Sequence, residues 1–284
     1  MLRVASFKHI QNTSYGIVAD NGIIDCGARL QEFPDLHSVL KAGATDRLRG
    51  LAGVDPDVGA EAIEWLPPIT NPQKIICVGI NYKAHIKEMG RSKPDYPWLF
   101  VRFPNSIVGH EADLIRPSVS EQFDYEGELA VVIGNGGRHI PAARALAAVA
   151  GYTCFNDGSI RDFQKHSSQF TAGKNFFASG SCGPWLALAD DRTDPKDFHL
   201  KTRLNGAVMQ DAPLSDLCFD VPALIEYCST VTELVAGDIL VTGTPGGVGA
   251  ARKPPVWLVP GDRLEVDIEG VGLLANDVVA ETRA

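Results

Sequence analysis

The sequence has 284 residues and carries 26 basic against 35 acidic side chains, which gives a formal net charge of −9. A chain of this length can bury a sizeable core, and it corresponds to one large domain or to a large and a small one. The acidic balance argues against a surface that binds nucleic acid or an anionic membrane. The 28 glycines and 18 prolines follow no period, and their excess over average usage favours many short strands joined by shaped loops.

Six cysteines are present, and no two of them form a C-x-x-C pair. Most lie in apolar runs, so we interpret them as reduced, small apolar side chains, which predicts a cytoplasmic protein. The first ten residues lack the long apolar segment that is typical of a secretory signal. No apolar run approaches the roughly 18 residues that a membrane-spanning helix needs.

The first 70 residues differ in pattern from the rest of the chain. Short strands are predicted at 4–7, 14–18 and 22–25, with Asn21-Gly22 as a hairpin turn. Residues 36–50 have helical spacing, and a proline-rich connector follows at 65–72. The sequence therefore predicts a small N-terminal domain at 1–70 and a larger domain at 71–284.

From Lys74 onward the pattern changes to longer apolar runs. Buried strands are predicted at 74–79, 129–133, 151–155 and 238–242, and 262–268 alternates as a half-buried strand does. Helical segments are predicted at 81–89, 142–150 and 221–228. Many strands with few, short helices predict an α+β fold that is predominantly β.

A pair of glutamates stands at the start of one predicted strand. Glu126 and Glu128 flank Gly127 directly before the apolar run at 129–133, and side chains two apart on a strand share a face. Two adjacent carboxylates repel unless a cation lies between them, so the spacing is compatible with metal binding, although a solvated strand edge would also explain it. Asp157 follows the next strand, where it is either a turn-capping aspartate or a third oxygen ligand for a hard divalent ion.

Further polar residues could act on a substrate. His85 and Glu88 are three apart and adjacent on a helical turn, which would orient the imidazole as a general base, unless this is simply an exposed amphipathic turn. Arg161, Gln164 and Lys174 could bind an anion, or they could belong to the polar surface. The glycine-rich loop at 241–249 lacks the Lys-Ser/Thr of a Walker loop, but its N–H groups and the Thr244 hydroxyl could receive a carboxylate.

The order of these motifs resembles that of the fumarylacetoacetate hydrolase family, and the resemblance covers residues 72 to 282. It rests on five segments: Asn81-Tyr82-x-x-His85-x-x-Glu88, Glu126-x-Glu128, Asn156-Asp157-x-Ser159-x-Arg161-Asp162-x-Gln164, Gly173-Lys174 and Thr242-Gly243-Thr244-Pro245. The resemblance implies a mixed β-sandwich roll with a small N-terminal domain, in a homodimer.

The same resemblance implies roles for individual residues. Glu126, Glu128 and Asp157 would hold Mg²⁺ or Mn²⁺, with Ca²⁺ a less favoured ion. His85, Glu88 and Lys174 would be catalytic, with the first two on a mobile lid. Arg161, Gln164, Thr244 and Tyr82 would contact the substrate. Arg102 departs from the family pattern, which often has lysine at this position, and its rigid fork could change the substrate preference if it contacts substrate.

The implied activity is cleavage of a C–C bond in a 2,4-dioxo acid of the acylpyruvate type. In this hypothesis His85, oriented by Glu88, removes a proton from water, the hydroxide attacks C4, and the metal and Lys174 stabilise the pyruvate enolate that leaves. Decarboxylation of a β-keto acid such as oxaloacetate, or isomerisation of a 2-hydroxy-dienedioate, uses the same enolate. A non-catalytic ligand-binding relative is a further alternative, but it would be expected to lack one of these residues.

Overall fold

The computed structural model describes residues 1–88 and 94–282, and most of its regular structure is β-strand. The strands are β1 (Arg3–His9), β2 (Asn12–Ala19), β3 (Gly22–Asp25), β4 (Glu64–Leu66), β5 (Ile75–Gly79), β6 (Trp98–Val101), β7 (Ile107–Val108), β8 (Leu114–Arg116), β9 (Phe123–Asp124), β10 (Gly127–Ile133), β11 (Val149–Asn156), β12 (Ser159–Ile160), β13 (Gly180–Leu188), β14 (His199–Leu204), β15 (Ala207–Pro213), β16 (Ile239–Val241), β17 (Arg263–Ile268) and β18 (Gly272–Ala280).

The helices are short. They are α1 (Cys26–Arg29), α2 (Leu36–Lys41), α3 (Thr45–Arg49), α4 (Lys83–Glu88), α5 (Arg161–Gln164), α6 (Thr171–Lys174) and α7 (Val221–Val231). Single 3₁₀ turns or short 3₁₀ helices lie at Ala60–Ala62, Pro104–Ser106, Ala142–Ala148, Pro195–Asp197, Leu214–Asp216 and Gly249–Ala251. Among the described residues, no helix is long and apolar enough to cross a membrane.

Two sheets form the body of the molecule. The larger runs in the order β3-β2-β1-β13-β11-β10-β16-β5-β6, with β4 added to β1 and β7 to β13. The smaller runs in the order β15-β14-β17-β18-β8. Buried apolar residues from both sheets, such as Leu129, Leu200 and Val266, belong to one core cluster. The layered, predominantly β architecture confirms the predicted fold class.

Strand β10 is buried along its whole length and separates two core clusters. Ala130 and Val132 belong to the cluster that includes the N-terminal strands, whereas Leu129 and Val131 belong to the cluster between the two sheets. This explains why the strand reads as a continuous apolar run rather than as an alternation. Glu128 continues the face of Ala130 and Val132, because side chains two apart on a strand share a face.

The N-terminal segment joins the larger sheet instead of forming a core of its own. Strand β1 pairs antiparallel with β13, with Val4 opposite Leu186, and Val4 and Leu186 lie in the same core cluster. The strands predicted at 4–7, 14–18 and 22–25 correspond to β1, β2 and β3. The domain boundary near residue 70 stays a prediction. The β-pairing and the apolar core both extend across this position.

Two local predictions differ from the structure for identifiable reasons. The helix predicted over 36–50 is two helices, α2 and α3, because Gly43 between them has φ +62°, outside the right-handed helical region. The segment 142–150 winds as a 3₁₀ helix at Ala142–Ala148 and then becomes β11. Strand β13 was not predicted because Gly183 and Pro184 interrupt it, and both residue types normally weaken a strand.

Candidate metal centre and substrate cavity

Three buried carboxylates lie close together where β10 begins and β11 ends. Gly127 pairs with Asn156 across the two strands, and the Asp157 N–H donates to the Glu126 carbonyl at 2.8 Å. Asp157 therefore lies beside the pair that flanks Gly127. Ligand oxygens of Glu126, Glu128 and Asp157 all lie within 4.8 Å of one another. The structure thus brings together the three residues that the sequence suggested as metal ligands.

Glycine is required at position 127 because the strand face opposite the two glutamates has no room for a side chain. A Cβ at this position would lie 2.0 Å from Thr202 Oγ1 and 3.3 Å from Gln210 Oε1. The Gly127 N–H donates to Gln210 Oε1 at 3.0 Å. The smaller sheet, which supplies Thr202 and Gln210, therefore packs directly against the backbone between the two glutamates.

Lys174 lies between two of the carboxylates. Its Nζ is 2.6 Å from both Glu126 Oε2 and Asp157 Oδ2, and 5.1 Å from the centre of the Phe100 ring. Burial alone would lower the pKa of this lysine, but Asp157 and Glu126 outweigh burial and raise its pKa. Lys174 is therefore a fixed positive charge at the edge of the carboxylate cluster.

Two arginines complete the charged cluster. Arg161 Nη2 lies 2.7 Å from both Asp124 Oδ2 and Glu126 Oε1. Arg102 Nη1 donates to Asp157 Oδ1 at 2.6 Å. Both arginines are buried, so each ion pair forms where the solvent screens little of the attraction. Each pair fixes the orientation of one carboxylate.

Glu128 is the carboxylate without a cationic partner among the described residues. Its Oε2 accepts a hydrogen bond from the Gly243 N–H. Burial, followed by repulsion from Asp157 and Glu126, raises the pKa of Glu128 well above its ordinary value. A negative charge at this position is therefore costly unless another cation is close.

The composition of the cluster fits a divalent metal ion. Four buried carboxylates, including Asp124, face three cations, which leaves one negative charge in excess. The three candidate ligands supply only oxygen atoms, which suits a hard ion such as Mg²⁺ or Mn²⁺ and leaves positions for water or substrate. Glu126, Glu128 and Asp157 would hold this ion, and its charge would compensate Glu128.

We expect the Glu128→Gln exchange to change how the free energy of unfolding depends on pH, because it removes the buried carboxylate that is costly to ionise. The folded state holds the Glu128 proton to a higher pH than the unfolded state does, so wild-type stability should fall as pH rises above the ordinary glutamate pKa of about 4.3. The loss should stop once pH exceeds the raised pKa, and Glu128→Gln should lack it.

Urea unfolding with a chelator, at a series of pH values, measures this difference. The exposed Glu269→Gln exchange is the matched control, because it removes a carboxylate that lies on the surface. Added Mg²⁺ should abolish the wild-type loss of stability. Parallel pH profiles for wild type and Glu128→Gln would contradict the predicted proton affinity of this carboxylate.

A cavity of about 130 Å³ opens beside the carboxylates. Its polar and charged lining residues are Glu126, Glu128, Arg161, Gln164, Lys165, Lys174 and Thr244. The remaining lining residues are Val78, Gly79, Ile80, Phe100 and Phe170. Small-molecule sites usually combine apolar walls with convergent polar and charged groups, and this cavity has both kinds of lining. The cavity is therefore lined by four residues predicted to act on substrate, Lys174, Arg161, Gln164 and Thr244, and by two of the three metal candidates, Glu126 and Glu128.

Thr244 lines the cavity, but its hydroxyl is already engaged in two hydrogen bonds. The hydroxyl donates to the Gly127 carbonyl at 2.9 Å and accepts from Gln210 Nε2 at 2.7 Å. With its hydrogen used in this way, the hydroxyl cannot also donate to a substrate carboxylate. A carboxylate bound at this loop would be received by backbone N–H groups, the other donors that the sequence suggested.

Arg102 and Tyr82 are not among the residues that line this cavity, so their contact with a substrate stays a prediction. The Arg102 fork is used by Asp157 Oδ1, the Gly158 carbonyl and Ser179 Oγ. Tyr82 is fully buried against Ala212 and Leu217, and its hydroxyl makes no hydrogen bond with any described residue. Arg102 therefore orients Asp157, a candidate metal ligand, and Tyr82 packs in the core next to the start of α4.

The proposed base and its partner are on α4, which is attached at both ends to the loop that carries Thr244. Asn81 Nδ2, just before the helix, donates to the Thr242 carbonyl at 2.8 Å. Glu88 Oε1, at its end, accepts from the Gly247 N–H at 3.0 Å. The side chain of His85 lies outside what the structure describes, as do residues 89–93, so contact between His85 and Glu88 stays a prediction.

Sequence reasoning missed two buried residues that organise the site. Asp124 accepts hydrogen bonds from Arg161 Nε and from the N–H groups of Gly249 and Ala250. Gln210 links Gly127 to Thr244 and to the Pro245 carbonyl. Asp124 could have been noticed because it belongs to the same acidic segment as the two glutamates. Gln210 lies on a distant strand and gave no local signal.

Both a family model and full-length relatives match this chain. The model of the fumarylacetoacetate (FAA) hydrolase C-terminal family matches residues 74–279. The human protein named oxaloacetate tautomerase FAHD2A, mitochondrial, is 40% identical over 288 residues, covering 98% of this chain and 92% of that protein.

Two solved structures extend this similarity to the fold. The fumarylacetoacetate hydrolase of Exiguobacterium antarcticum is 34% identical with a TM-score of 0.83, covering 99% of this chain and 100% of that chain. The maleylpyruvate hydrolase of Sphingobium sp. SYK-6, in complex with manganese (II) ion and pyruvate, is 27% identical with a TM-score of 0.82, covering the same shares.

Proposed function

The chain belongs to the fumarylacetoacetate hydrolase family of enzymes, and we propose that it catalyses the metal-dependent keto–enol tautomerisation of oxaloacetate. The observation that carries this proposal is the placement of Lys174 against a buried carboxylate triad on the wall of a cavity. This arrangement suits the stabilisation of an enolate. The choice of oxaloacetate is supported by 40% identity to the human tautomerase over almost the full length of both chains.

The chemistry requires one proton to move between C3 and the oxygen on C2. Mg²⁺ held by Glu126, Glu128 and Asp157, or Mn²⁺ in its place, would supply Lewis-acid stabilisation of the charge that develops on that oxygen. Lys174 adds a second positive charge, which acts strongly because the ammonium is buried. Arg161 holds Glu126, and Arg102 holds Asp157, so neither carboxylate needs to reorient during the reaction.

The proton at C3 needs a base, and we propose His85 for this role. The C3–H electron pair then forms the C2–C3 double bond, and the C2 oxygen accepts a proton to complete the enol. Support for His85 comes from its spacing to Glu88 and from the attachment of α4 to the Thr244 loop at Gly247. A base that exchanges protons in this way contributes on the order of 10²- to 10⁴-fold to the rate.

Hydrolytic C–C cleavage of an acylpyruvate is the second candidate reaction. It is supported by the 27% identical maleylpyruvate hydrolase structure, which holds manganese and pyruvate. In that reaction His85 would remove the proton from water instead of from carbon. Decarboxylation of oxaloacetate is a further outcome of the same enolate chemistry.

One panel of assays separates the three reactions. Purified enzyme with Mg²⁺ is mixed with enol oxaloacetate, and the loss of enol absorbance is followed while pyruvate is measured separately. Acetylpyruvate is tested in parallel for release of pyruvate. We expect fast enol loss with pyruvate at the spontaneous level from both compounds. Enzymatic pyruvate from acetylpyruvate would instead favour the hydrolase, and enzymatic pyruvate from oxaloacetate the decarboxylase.

The assembly and the compartment are further proposals. We propose a homodimer, as the resemblance to the family implied, and light scattering on the purified protein tests it. All six cysteines are free, and five are buried, which supports a reducing compartment such as the cytoplasm. Fractionation of the source cells tests the location.

A further inference from the structure

We propose that Lys165 binds the second carboxylate of the substrate and makes the enzyme prefer dicarboxylic over monocarboxylic 2-oxo acids. The inference rests on the proposed function in one respect only, namely that the cavity binds a 2-oxo acid. Lys165 did not stand out in the sequence, where it follows Gln164 as an ordinary polar residue. Its significance comes from the charges that line the cavity.

The three cations that line the cavity differ in how they are paired. Lys174 is held between Glu126 and Asp157, and Arg161 between Asp124 and Glu126. Lys165 also lines the cavity, but it forms no ion pair with any other residue of 1–88 or 94–282 and is exposed at the cavity mouth. Among these three cations, Lys165 is therefore the one whose positive charge is not neutralised by a carboxylate of the described residues and can pair with an incoming anion.

Burial places Lys165 nearer the solvent than Arg161. Lys165 directly follows α5, four residues after Arg161, and it is exposed whereas Arg161 is buried. Arg161 contacts Glu126 at the inner side of the cavity lining. A ligand that reaches from the carboxylate cluster toward the mouth therefore meets Lys165 at its outer end.

The backbone that carries Lys165 is firmly positioned. Its N–H donates to the Asp162 carbonyl at 3.1 Å, and α5 packs closely on α6. A Cβ at Gly173 would lie only 2.5 Å from Gln164 N and Cβ, so the two short helices touch at backbone distance. Because Gly173 precedes Lys174, this contact sets the spacing between the inner lysine and the outer one.

The neighbouring groups make Lys165 the natural contact for a second anion. Gln164 Oε1 accepts from Arg161 Nη1 at 3.0 Å, which leaves the Gln164 amide hydrogens to donate alongside Lys165. Val78, Ile80, Phe100 and Phe170 supply the apolar part of the lining and offer nothing to a carboxylate. A 2-oxo acid bound by its C1 end at the triad would thus present a C4 carboxylate to Gln164 and Lys165.

The test compares oxaloacetate with its 4-methyl ester, which has the same skeleton and one negative charge fewer. Affinity is measured by calorimetry with Mg²⁺ present, and turnover by loss of the enol absorbance. In Lys165→Gln we expect the preference for oxaloacetate over the ester to fall about two- to fivefold, as expected for an exposed ion pair. The change should appear in the Kd and KM of oxaloacetate more than in those of the ester.

Two controls separate a local contact from a general charge effect. Lys41→Gln removes the same charge from an exposed position on α2 and should leave the preference unchanged. Lys165→Glu should lower the preference further than Lys165→Gln. Rising salt should weaken the preference of wild type but not that of Lys165→Gln.

The outcomes distinguish the two levels of the proposal. An unchanged preference in Lys165→Gln, in a variant that binds both compounds, overturns the role of Lys165. A wild type that binds both compounds with a Lys165-dependent preference but tautomerises neither overturns the proposed reaction and supports the role of Lys165. A wild type that binds neither compound overturns both.

Discussion

Lys174→Met is expected to lower kcat for oxaloacetate tautomerisation by about 10²- to 10³-fold, the range for removing one group that stabilises a developing oxyanion. The ammonium lies 2.6 Å from Glu126 and Asp157 and lines the cavity, so its charge would act on an oxygen of a substrate bound there. Affinity for Mg²⁺ should stay the same or rise, because the carboxylate cluster becomes more negative.

Lys174→Arg is the matched variant for this prediction. It retains the charge but replaces a compact ammonium by a larger planar group that the buried space between Glu126 and Asp157 does not fit, so we expect an intermediate loss of kcat. Stopped-flow measurement of enol loss and titration with Mg²⁺ give the two quantities. A loss of metal affinity equal to the loss of kcat would contradict a separate role for Lys174 in stabilising the enolate.

Arg102→Met is expected to lower the free energy of unfolding of the metal-free protein by about 3–5 kcal/mol, the usual cost of removing one partner from a buried ion pair. Both side chains of the Arg102–Asp157 pair are fully shielded from solvent, so Asp157 would keep only Lys174 as a cationic partner at a buried position. The Ser106 and Ser179 hydroxyls would also lose their bonds to the guanidinium.

The chain supplies a surface ion pair as the control for this experiment. Arg29 and Asp57 are paired at a partly exposed site, where such pairs contribute less than about 1 kcal/mol. Urea unfolding of Arg102→Met, Arg29→Met and wild type, all with a chelator, compares the two. Equal losses in both variants would show that Arg102 does not support the site as its buried contacts indicate.

The metal candidates could be predicted from sequence because their positions follow from local rules. Glu126 and Glu128 lie on one face because a strand alternates with period two, and the apolar run after them showed where the strand is. Asp157 follows the neighbouring strand at its end. The antiparallel pairing of β10 with β11, which places Asp157 beside Glu126, is a tertiary fact that local pattern does not predict. The family resemblance implied only that these three residues share a metal ion.

The surroundings of Arg102 and Tyr82 depend on contacts between distant segments. Arg102 departs from the lysine that the family often has at this position, and its fork is used by Asp157, Gly158 and Ser179. Tyr82 shares a motif with the proposed base, yet it is buried under Leu217. Gly158 and Ser179 are distant in sequence from Arg102, and Leu217 is distant from Tyr82. Local sequence pattern therefore could not predict these contacts.

The N-terminal segment shows the same limit at the level of the fold. Its three strands and the Asn21-Gly22 turn were predictable from alternation and turn chemistry. Their pairing with β13 was not, since β1 and β13 are separated by more than half of the chain. The sequence pattern changes to longer apolar runs near residue 70, but the larger sheet and its core include residues from both sides of this position.

The most direct measurement is a titration of Mn²⁺ into the metal-free enzyme, with free Mn²⁺ read by electron paramagnetic resonance and tautomerase activity followed in the same samples. If Glu126, Glu128 and Asp157 hold one ion that the reaction needs, wild type should bind one equivalent and activity should rise in proportion to occupancy. Glu128→Gln should bind weakly or not at all, while the Glu269→Gln control should behave as wild type. Full activity with no bound Mn²⁺ in the presence of a chelator, or wild-type binding by Glu128→Gln, would contradict the assignment.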